Sequence, residues 1–474
     1  MKAARLLRFF PLLLLLLGMA VAAVTPAWYG NVTLYPGRPK DAIFTNNLYD
    51  IVFNPEGEIL GWYVKAPAGS SSISVKNGKV DAQGVLGEKN NLLAGQRALV
   101  IPLHGKPVAQ PPALTHPAPN RFQAVFRYRQ GAVSVVKTIV LNPVRFTISV
   151  TTQVTGAPAY QLDFTGMDNP QLKGLSVGSS SVVNSGKVPS LRYASLQAGG
   201  ADALIVEPVQ GTAATARLIP GTHGKIALSL AGTSRLRVYG GPNELIHLYL
   251  EHYSNLPGLF QANIFGQLSL LLVILLQLIN SVVGSWGVSI LILTLIIRIL
   301  TWPLMQAQLR SFAEMQVIQP MIKEVNAKFK DPAKRNEATM ALYKEHGVNP
   351  AAGCLPVIVQ LPILLILWRV FANFEFTAPF LWLPDLSIPD PYYILPALYL
   401  LSNVAQMYFS TRKAPEMFRQ QLIIQVVYIF IALSFPAGVV IYWVFSTLLG
   451  IGQQIWINRQ IEQRMQRRAA AKSG

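Results

Sequence analysis

The sequence has few charged residues and a single cysteine. Asp, Glu, Lys and Arg make up 13% of its 474 residues, whereas a soluble domain carries about a quarter. So little charge argues against an ordinary cytosolic enzyme and against a disordered protein. The lone Cys354 excludes an internal disulfide framework and a cysteine-based metal cluster.

Motifs for covalent chemistry are also scarce. The six histidines show no metal-ligand spacing, and the GxxxxGK[ST] phosphate-binding loop is missing. Gly174–Gly178 matches the GxSxG nucleophile pattern, with Asp202 and His223 in the order of a triad. That motif needs a helix after it, and the serines that follow do not predict one. We therefore expect no enzyme activity, no metal and no cofactor.

What the chain has instead is apolar length and positive charge. Hydrophobic residues make up 51% of the chain, the formal net charge is +18 and the mean hydropathy is +0.36. Lipid excludes charge, while the orientation of a membrane protein depends on Lys and Arg in its cytoplasmic loops. A nucleic-acid binder would carry more charge and no long apolar runs. The composition therefore predicts a membrane protein without a DNA partner.

The N-terminal segment, residues 1–27, is typical of membrane targeting. Three basic residues within the first eight precede an apolar run at 9–24, which is short for a span of about 20 residues. Ala20–Ala22 offers a small-residue cleavage signal. The segment is a signal anchor or a cleaved signal peptide, and either one places the next domain outside.

Residues 28–258 are expected to form an outer domain made of strands. Apolar and polar side chains alternate from Arg121 to Tyr128 and again from Val144 to Thr151, which is the period of a half-buried strand. Gln130–Gly131 marks a turn, and 132–141 returns as the hairpin partner. Gly, Ser and Pro clusters separate further short strands, so the pattern predicts an antiparallel β-sandwich.

Six apolar segments of span-like character follow. They are Ile264–Val283, Gly287–Met305, Cys354–Phe374, Tyr392–Phe409, Leu422–Phe435 and Ala437–Ile457. The loop 306–350 and the tail 459–474 are rich in Lys and Arg, whereas 377–391 has none. Since basic loops stay inside, we expect 259–283 to lie along the outer membrane face. Five helices within 284–458 then form the membrane core, with a basic cytoplasmic tail.

The cytoplasmic loop 306–350 is predicted to be a hairpin of two amphipathic helices. Pro320 is expected to kink the first, and Asp331–Pro332 opens the second with a capping residue and a first-turn proline. Met315 and Met321 add adaptable apolar surface that suits varied partners. The charged faces of such helices can equally be solvated surface only.

Arg298 is the most informative residue, because it interrupts the apolar run Ile290–Leu300. At 1.5 Å per residue from Trp286 it lies about 18 Å deep, beyond the midplane of a core about 30 Å thick. A charge there costs at least about 2.5 kcal/mol. The side chain either snorkels to the inner headgroups or faces a wet cavity with Thr294 and Thr301, which share its helix face.

The other predicted spans carry polar residues too. Gln360 and Gln425 are lone amides in apolar segments, and Trp443, Ser446 and Gln453 share one face of the last segment. Such residues are often only packing contacts between membrane helices. Their presence beside an intramembrane arginine favours a shared polar interior.

Short motifs occur in order along the second half of the chain. They are Trp286–Gly287 with the Arg298 helix, Pro303–Leu304, Gln319–Pro320, Asn349–Pro356 with Gln360 and Pro362, Phe380–Trp382, Asp385–Leu386, Asp390–Pro396, Phe435–Gly438, Tyr442–Trp443 and Gln453–Gln454. Their order and spacing resemble the YidC/Oxa family of membrane protein insertases. The large outer β domain is similar to the form found in bacteria with two membranes, which favours an uncleaved anchor.

The resemblance implies five core helices around a hydrophilic groove, open to the cytoplasm and lipid and closed on the outer side. The family's groove arginine falls on Arg298, and its client-contacting positions fall on Thr294 and Trp443. The chain departs from the family at Thr447, where Asn is common, and at Gln425, where Pro is common. These departures put the polarity of the groove in question.

The implied function is that of an insertase and chaperone for integral membrane proteins, acting alone or with the Sec translocon in the bacterial inner membrane. Residues 28–258 would be periplasmic and the C-terminus cytoplasmic. The implied partners are nascent membrane proteins, membrane lipids, the Sec translocon, and the ribosome or a signal-recognition receptor. The contacts expected on the hairpin and tail are Met315, Met321, Arg464, Arg467 and Arg468.

Two other functions stay open. A solute transporter would show internal repeats and helices broken at the midplane, and no clear repeat is visible. An outer sugar-binding or enzymatic module on a passive anchor would need clustered carboxylates or aromatic residues. In 28–258 the pair Asp163 and Asp168 is a weak candidate, and five helices exceed what an anchor needs.

Overall fold

A computed structural model describes residues 30–35, 38–46, 48–65, 75–76, 79–80, 91–118, 120–198, 202–259, 264–345, 355–374, 376, 379–383, 385–411, 425 and 428–473. The chain divides at Leu270 into two compact units, each described here by itself. The predicted targeting segment 1–27 lies outside the described residues.

The first unit is an antiparallel β-sandwich. Its strands are β1 (Gly30–Tyr35), β2 (Arg38–Asn46), β3 (Tyr49–Phe53), β4 (Ile59–Val64), β5 (Val75–Lys76), β6 (Lys79–Val80), β7 (Ala98–Val100), β8 (Val108–Ala109), β9 (Ala113–Ala118), β10 (Arg121–Gln130), β11 (Val133–Leu141), β12 (Thr147–Thr155), β13 (Tyr160–Asp168), β14 (Gln171–Ser176), β15 (Gly186–Val188), β16 (Leu191–Ala198), β17 (Asp202–Pro208), β18 (Thr215–Ile219), β19 (His223–Leu230) and β20 (Thr233–Pro242). One sheet has the order β1-β2-β3-β4-β7-β13-β19-β18-β15, and the other has the order β14-β16-β17-β20-β12-β11-β10-β8, with β9 also paired to β10. A short helix, α1 (Leu245–Leu250), follows β20.

The alternation seen in the sequence places one face of each sheet in a shared core. In β12, Ile148, Val150 and Val154 are buried, whereas Ser149 and Gln153 are exposed. The same period governs β10, which pairs in register with β11 across the predicted turn. The predicted antiparallel β domain is therefore confirmed.

Strand β12 begins at Thr147, three residues later than its alternation predicts. Asn142 closes a turn before it, because its Oδ1 accepts the backbone N–H of Val144 at 3.0 Å. Its carbonyl also accepts the N–H of Arg145 at 3.4 Å. Asn side chains commonly stabilise such turns in place of a strand ladder.

The core of this unit contains a lysine. Lys137 on β11 is fully buried, and its Nζ donates to the Leu99 carbonyl at 2.6 Å. The ammonium also lies 5.5 Å from the centre of the Tyr128 ring. Burial lowers the pKa of Lys137 to about 8, against a weaker opposing effect of Glu58 and Glu56.

This lowered pKa predicts a pH-dependent stability. Between the folded pKa of about 8 and the unfolded value of 10.5, the unfolded chain binds a proton that the folded domain lacks, so stability rises with pH. Relative to Lys137→Met, the wild-type domain should gain about 1.5 kcal/mol between pH 8 and pH 9.5. Pulse proteolysis in urea on the full chain in detergent measures this difference, and parallel pH profiles for the two proteins would contradict it.

The second unit is helical. Its helices are α2 (Ile264–Val283), which spans the division at Leu270, α3 (Trp286–Lys328), α4 (Pro332–Glu345), α5 (Leu355–Asn373), α6 (Ile394–Thr411) and α7 (Ala437–Ser473), and residues 428–434 are also helical. Within the described residues, Ile264–Val283, Trp286–Gln306 and Ala437–Ile457 are long and apolar enough to cross a membrane. The predicted combination of a helical membrane protein with an antiparallel β domain matches this architecture.

The first arm of the predicted hairpin is not a separate helix. Helix α3 runs without interruption for 43 residues, so the apolar segment and the hairpin arm that follows it are continuous. Pro303 and Pro320 each lack an N–H, but no glycine lies between 288 and 328 to end the helix. The first of the two predicted hairpin helices is thus the continuation of the apolar segment that precedes it.

The second arm begins where the sequence predicts. Asp331 accepts the backbone N–H of Ala333 at 3.1 Å, and Pro332 is the first residue of α4. The two arms pack through Ile318, Ile322 and Tyr343. This small cluster is the apolar contact that holds the hairpin together in the described chain.

Candidate functional site

Arg298 on α3 is held against α7. Its Nε donates to Ser446 Oγ at 2.9 Å, and its Nη2 donates to the Ser446 backbone carbonyl. Ser446 is buried and Arg298 is half-buried. The guanidinium fork therefore engages two oxygens of one residue on the neighbouring helix. This geometry favours the inward-facing interpretation of Arg298 over snorkelling.

Gly450, one turn along α7, leaves room for that guanidinium. A Cβ atom at Gly450 would lie 3.2 Å from Arg298 Nη2 and 3.0 Å from Gln406 Nε2. Gln406 belongs to α6, so α3, α6 and α7 meet here. We call Arg298, Gln406, Ser446 and Gly450 the arginine centre.

The charge of the arginine centre is not neutralised by a carboxylate of the described residues. The ion pairs found in that part of the chain do not include Arg298. Its acceptors are the neutral oxygens of Ser446, and a guanidinium has five N–H donors. A cation in this position remains able to bind an acidic group, and within a membrane such a group would lower its cost.

Thr294 and Thr301 flank the centre on α3 and satisfy their hydroxyls within that helix. Thr294 Oγ1 donates to the Ile290 carbonyl at 2.7 Å, and Thr301 Oγ1 donates to the Ile297 carbonyl at 2.8 Å. Thr294 is fully buried and Thr301 is half-buried. Both hydroxyls donate to main-chain carbonyls of their own helix. They therefore give the arginine centre a little polar surface but no free hydrogen-bond donor.

Gln453 lies one turn beyond Gly450 on α7. It is buried, and its Nε2 makes a long hydrogen bond of 3.5 Å to the Trp302 carbonyl. Trp302 and Trp456 lie nearby with ring centroids 6.0 Å apart. The predicted polar face of the last helix therefore contacts α3 at Ser446 and at Gln453.

Trp443 lies within an aromatic group that sequence reasoning only partly found. Tyr399 of α6 stacks on it at 5.0 Å and Phe435 at 5.4 Å between centroids. The Tyr399 hydroxyl lies against the amide of Gln425, which is buried. A signal for Tyr399 existed, because it stands four residues before Asn403 in the sequence and residues four apart share one face of a helix.

Aromatic packing closes the N-terminal end of α3. The Trp286 ring meets the rings of Phe374 and Phe376 edge-on, with centroids 5.0 and 5.8 Å apart. Gly287 lies against Phe380, whose ring would overlap an added Cβ. Only glycine allows so close an approach, so side chains fill this end of the helix group.

The loop after α5 is fixed over the same end by Asp390. Its Oδ1 accepts the indole N–H of Trp382 at 3.2 Å, and its Oδ2 accepts the backbone N–H of Leu395 at 2.7 Å. The Ile388 carbonyl accepts the N–H of Ala437, the first residue of α7, at 2.7 Å. The loop thus ties the starts of α6 and α7 together.

Several predicted contact residues have side chains outside the described set. They are Gln360, Met315, Arg464, Arg467 and Arg468, whose backbones belong to α5, α3 and α7. Met321 is exposed on the hairpin arm of α3. The structure therefore brings together the predicted residues of α3 and α7, and it leaves the roles of the hairpin and tail as predictions.

In the β domain, the residues considered as weak candidates for an enzymatic site form ion pairs or belong to a strand. Asp163 pairs with Lys225 at 2.7 Å, and Asp168 pairs with His223 at 3.2 Å. Ser176 ends strand β14, and a turn follows it. The GxSxG motif therefore lacks the helix that a nucleophile elbow needs.

Comparison with known proteins fits this architecture. The chain superposes on a crystal structure described as an active YidC insertase with its first transmembrane domain resolved, with a TM-score of 0.54 at 21% identity, covering 87% of this chain and 92% of that one. The sequence profile of the 60Kd inner membrane protein family matches residues 278–464. The membrane protein insertase YidC of Deinococcus radiodurans is 46% identical over 395 residues, which are 78% of this chain and 92% of that protein.

The chain belongs to the YidC family of membrane protein insertases. The YidC of Cupriavidus pinatubonensis is 37% identical over 246 residues, half of this chain and 44% of that protein. The family profile covers most of the helical unit and includes the whole arginine centre. The transporter alternative finds no support in these YidC relatives, and the chain is a membrane protein.

Proposed function

We propose that this chain inserts integral membrane proteins and helps them fold and assemble, alone or with the Sec translocon. Two observations support the proposal: membership of the YidC family and an arginine centre of the kind an insertase groove requires. The observation that carries it concerns the hydrogen bonds of the Arg298 side chain. Among the described residues, their acceptors are the two neutral oxygens of Ser446.

The mechanism follows from the cost of moving polar groups through lipid. A client's polar outer segment would leave its backbone groups unsatisfied in the hydrocarbon core, at several kcal/mol each. A polar interior around Arg298, Gln406 and Gln453 shortens that crossing. The guanidinium attracts acidic residues of the segment while the client's apolar helix stays against lipid and is released sideways. No covalent step is needed, so the chain acts without enzymatic catalysis.

The sealed end of the helix group supports a one-sided groove. Trp286, Phe376 and Phe380 fill the space at the start of α3, whereas Arg298 lies twelve residues further along the same helix. We place the sealed end outside and the open end towards the cytoplasm. A client then enters from the cytoplasm, and its tail is held near Arg298 before it crosses the thin outer barrier.

We place the chain in the bacterial inner membrane, with residues 28–258 periplasmic and the tail 459–474 cytoplasmic. We take the segment 1–27 as a signal anchor or a cleaved signal peptide, and we place 259–283 along the outer face although α2 is apolar enough to span. The five-helix core falls within 284–458. The distribution of Lys and Arg supports this orientation, because basic short loops remain inside.

We further propose that the hairpin 306–350 receives clients and the targeting machinery. Met321 offers exposed apolar surface there, and Met315 precedes it by six residues on the same helix. Arg464, Arg467 and Arg468 give the tail a positive charge suited to ribosomal RNA or to a signal-recognition receptor. The Sec translocon and membrane lipids complete the set of partners.

The test replaces Arg298 in full-length protein reconstituted into liposomes. Arg298→Ala should reduce insertion of a small client with an acidic translocated tail about tenfold, since about 1.4 kcal/mol of charge attraction is lost. A matched client whose tail carries no charge should change less than about twofold. Arg298→Lys keeps the charge but loses the paired hydrogen bonds to Ser446. Its insertion of the acidic client should therefore lie between that of the wild type and that of Arg298→Ala.

The measurement is the protease-protected fraction of each client, with empty liposomes as the blank. Equal loss for the charged and neutral clients would contradict the electrostatic role of Arg298. Insertion by the wild-type chain no faster than in empty liposomes would contradict the proposed function itself.

A further inference from the structure

The outer domain has a cavity that the insertase mechanism does not use. Its volume is about 360 Å³, and its lining comes from residues 250–252, at the end of α1, and from β10, β11, β12 and β20. Its polar lining includes Arg121, Arg145, Arg237, Asn142 and Ser149. A cavity of this size is in the lower range of sites that hold small organic ligands.

Two of the three arginines are fixed by the main chain. Arg145 Nη1 donates to the Leu250 carbonyl at 2.5 Å, and Arg237 Nη2 donates to the Glu251 carbonyl at 2.9 Å. Each guanidinium has five N–H donors, so Arg145 and Arg237, which both line the cavity, keep donors beyond these main-chain bonds. These bonds orient the two forks in advance, which reduces the entropy lost when a ligand binds.

The third arginine, Arg121, is exposed at the start of β10. Its side chain forms no hydrogen bond or ion pair with another residue of the described chain. It therefore contributes an uncompensated positive charge at the rim of the cavity.

The acidic groups nearby do not cancel this charge. Glu251 is buried and its Oε1 accepts the Phe146 backbone N–H at 2.9 Å. Glu207 lies outside the lining and pairs with Arg237 at 3.2 Å. Three arginines against these two carboxylates leave the site positive, which accounts for part of the outer domain's excess of 20 Lys and Arg over 12 Asp and Glu.

The backbone and the sequence position of the cavity are also informative. His252 lines it with a left-handed φ of 65°, a conformation that is uncommon outside glycine and concentrates at functional positions. It stands twelve positions before the first residue of the apolar helix α2. Asn142 and Ser149 offer neutral hydrogen-bonding groups beside the arginines.

We propose that this cavity binds a phosphate oxyanion, carried by the headgroup of an anionic phospholipid or supplied as free phosphate. Arginine forks match phosphate oxygens in pairs. The volume beyond a bare phosphate, with Asn142 and Ser149 on its wall, suits the hydroxyls of a glycerol headgroup. The adjacent apolar helix in the sequence favours the lipid as the source.

The experiment uses the full-length protein in a neutral detergent at constant ionic strength. Dihexanoyl-phosphatidylglycerol, dihexanoyl-phosphatidylcholine and inorganic phosphate are titrated separately. Binding is followed as protection from hydrogen–deuterium exchange in peptides covering 141–149 and 250–253. We expect saturable protection by the phosphatidylglycerol and none by the zwitterionic phosphatidylcholine.

Arg121→Gln should weaken the affinity for the protecting anion about fivefold to tenfold. The matched control is Arg127→Gln, which removes the same charge from an exposed position of the same strand and face; it should change the affinity less than about twofold. Protection by the lipid analogue alone identifies a headgroup, and equal protection by inorganic phosphate identifies free phosphate. Absence of protection by both anions, or equal effects of the two variants, would overturn the proposal.

Discussion

Gly450→Leu should abolish most insertion activity, for charged and neutral clients alike. A Cβ added at this position would lie 3.2 Å from the Arg298 guanidinium and 3.0 Å from the Gln406 amide. A leucine side chain therefore displaces the guanidinium from Ser446 and fills the polar space between α3, α6 and α7. We expect a loss of about tenfold or more for both client types, in contrast to the selective loss in Arg298→Ala, since a barrier increase of about 1.4 kcal/mol is tenfold in rate.

Gly452→Leu is the matched control, because it is two residues away on the same helix and nothing lies within 4 Å of an added Cβ there. It should insert both clients at close to the wild-type rate. Gly450→Ala should be mild, since the ends of two flexible side chains need to shift by only tenths of an ångström. Activity of Gly450→Leu equal to that of Gly452→Leu would show that the arginine centre is not used.

Lys65→Ala should strongly destabilise the outer domain. Lys65 Nζ lies 3.0 Å from Asp50 Oδ1, and both side chains are almost fully buried, with 1% and 0% exposure. The ammonium also donates to the Asn46 carbonyl at 2.5 Å. Removing it leaves a buried carboxylate without its counter-charge, which typically costs about 3–5 kcal/mol. Urea pulse proteolysis of the full chain measures the loss.

Arg38→Ala removes the same charge from an exposed pair in the same sheet. Arg38 is 64% exposed and lies 3.8 Å from Asp41, so water and salt screen the interaction. Its loss should cost less than about 1 kcal/mol. Similar costs for Lys65→Ala and Arg38→Ala would mean that the buried pair is already compensated by its surroundings.

The sequence anticipated features that depend on local period and on the cost of charge in lipid. Alternation along 121–128 predicted a strand that the structure has as β10. Asp331 and Pro332 predicted the start of α4, which the capping bond confirms. Arg298, which interrupts the apolar run Ile290–Leu300, pointed to the site, and the polar face of the last helix pointed to Ser446.

Other features could not be predicted from the sequence, because the local pattern was ambiguous. The continuity of α3 through Pro303 and Pro320 could not be read from a pattern in which proline usually marks a bend. The late start of β12 depends on one Asn142 side chain competing with the ladder. The pocket of the outer domain combines residues from β10, β12 and β20 with 250–252, which are far apart in the sequence.

By itself the sequence determined the class of this protein, the positive charge of certain loops and the residues that are costly in lipid. These features depend on residue type and on the spacing of apolar residues along the chain. Only the tertiary structure decided which atoms accept the hydrogen bonds of Arg298. Ser446 is 148 positions away, and Gly450 and Gln406 lie beside the same guanidinium through helix packing. A hydrogen bond depends on a distance of a few ångströms in space, and the separation of two residues in the sequence does not determine that distance.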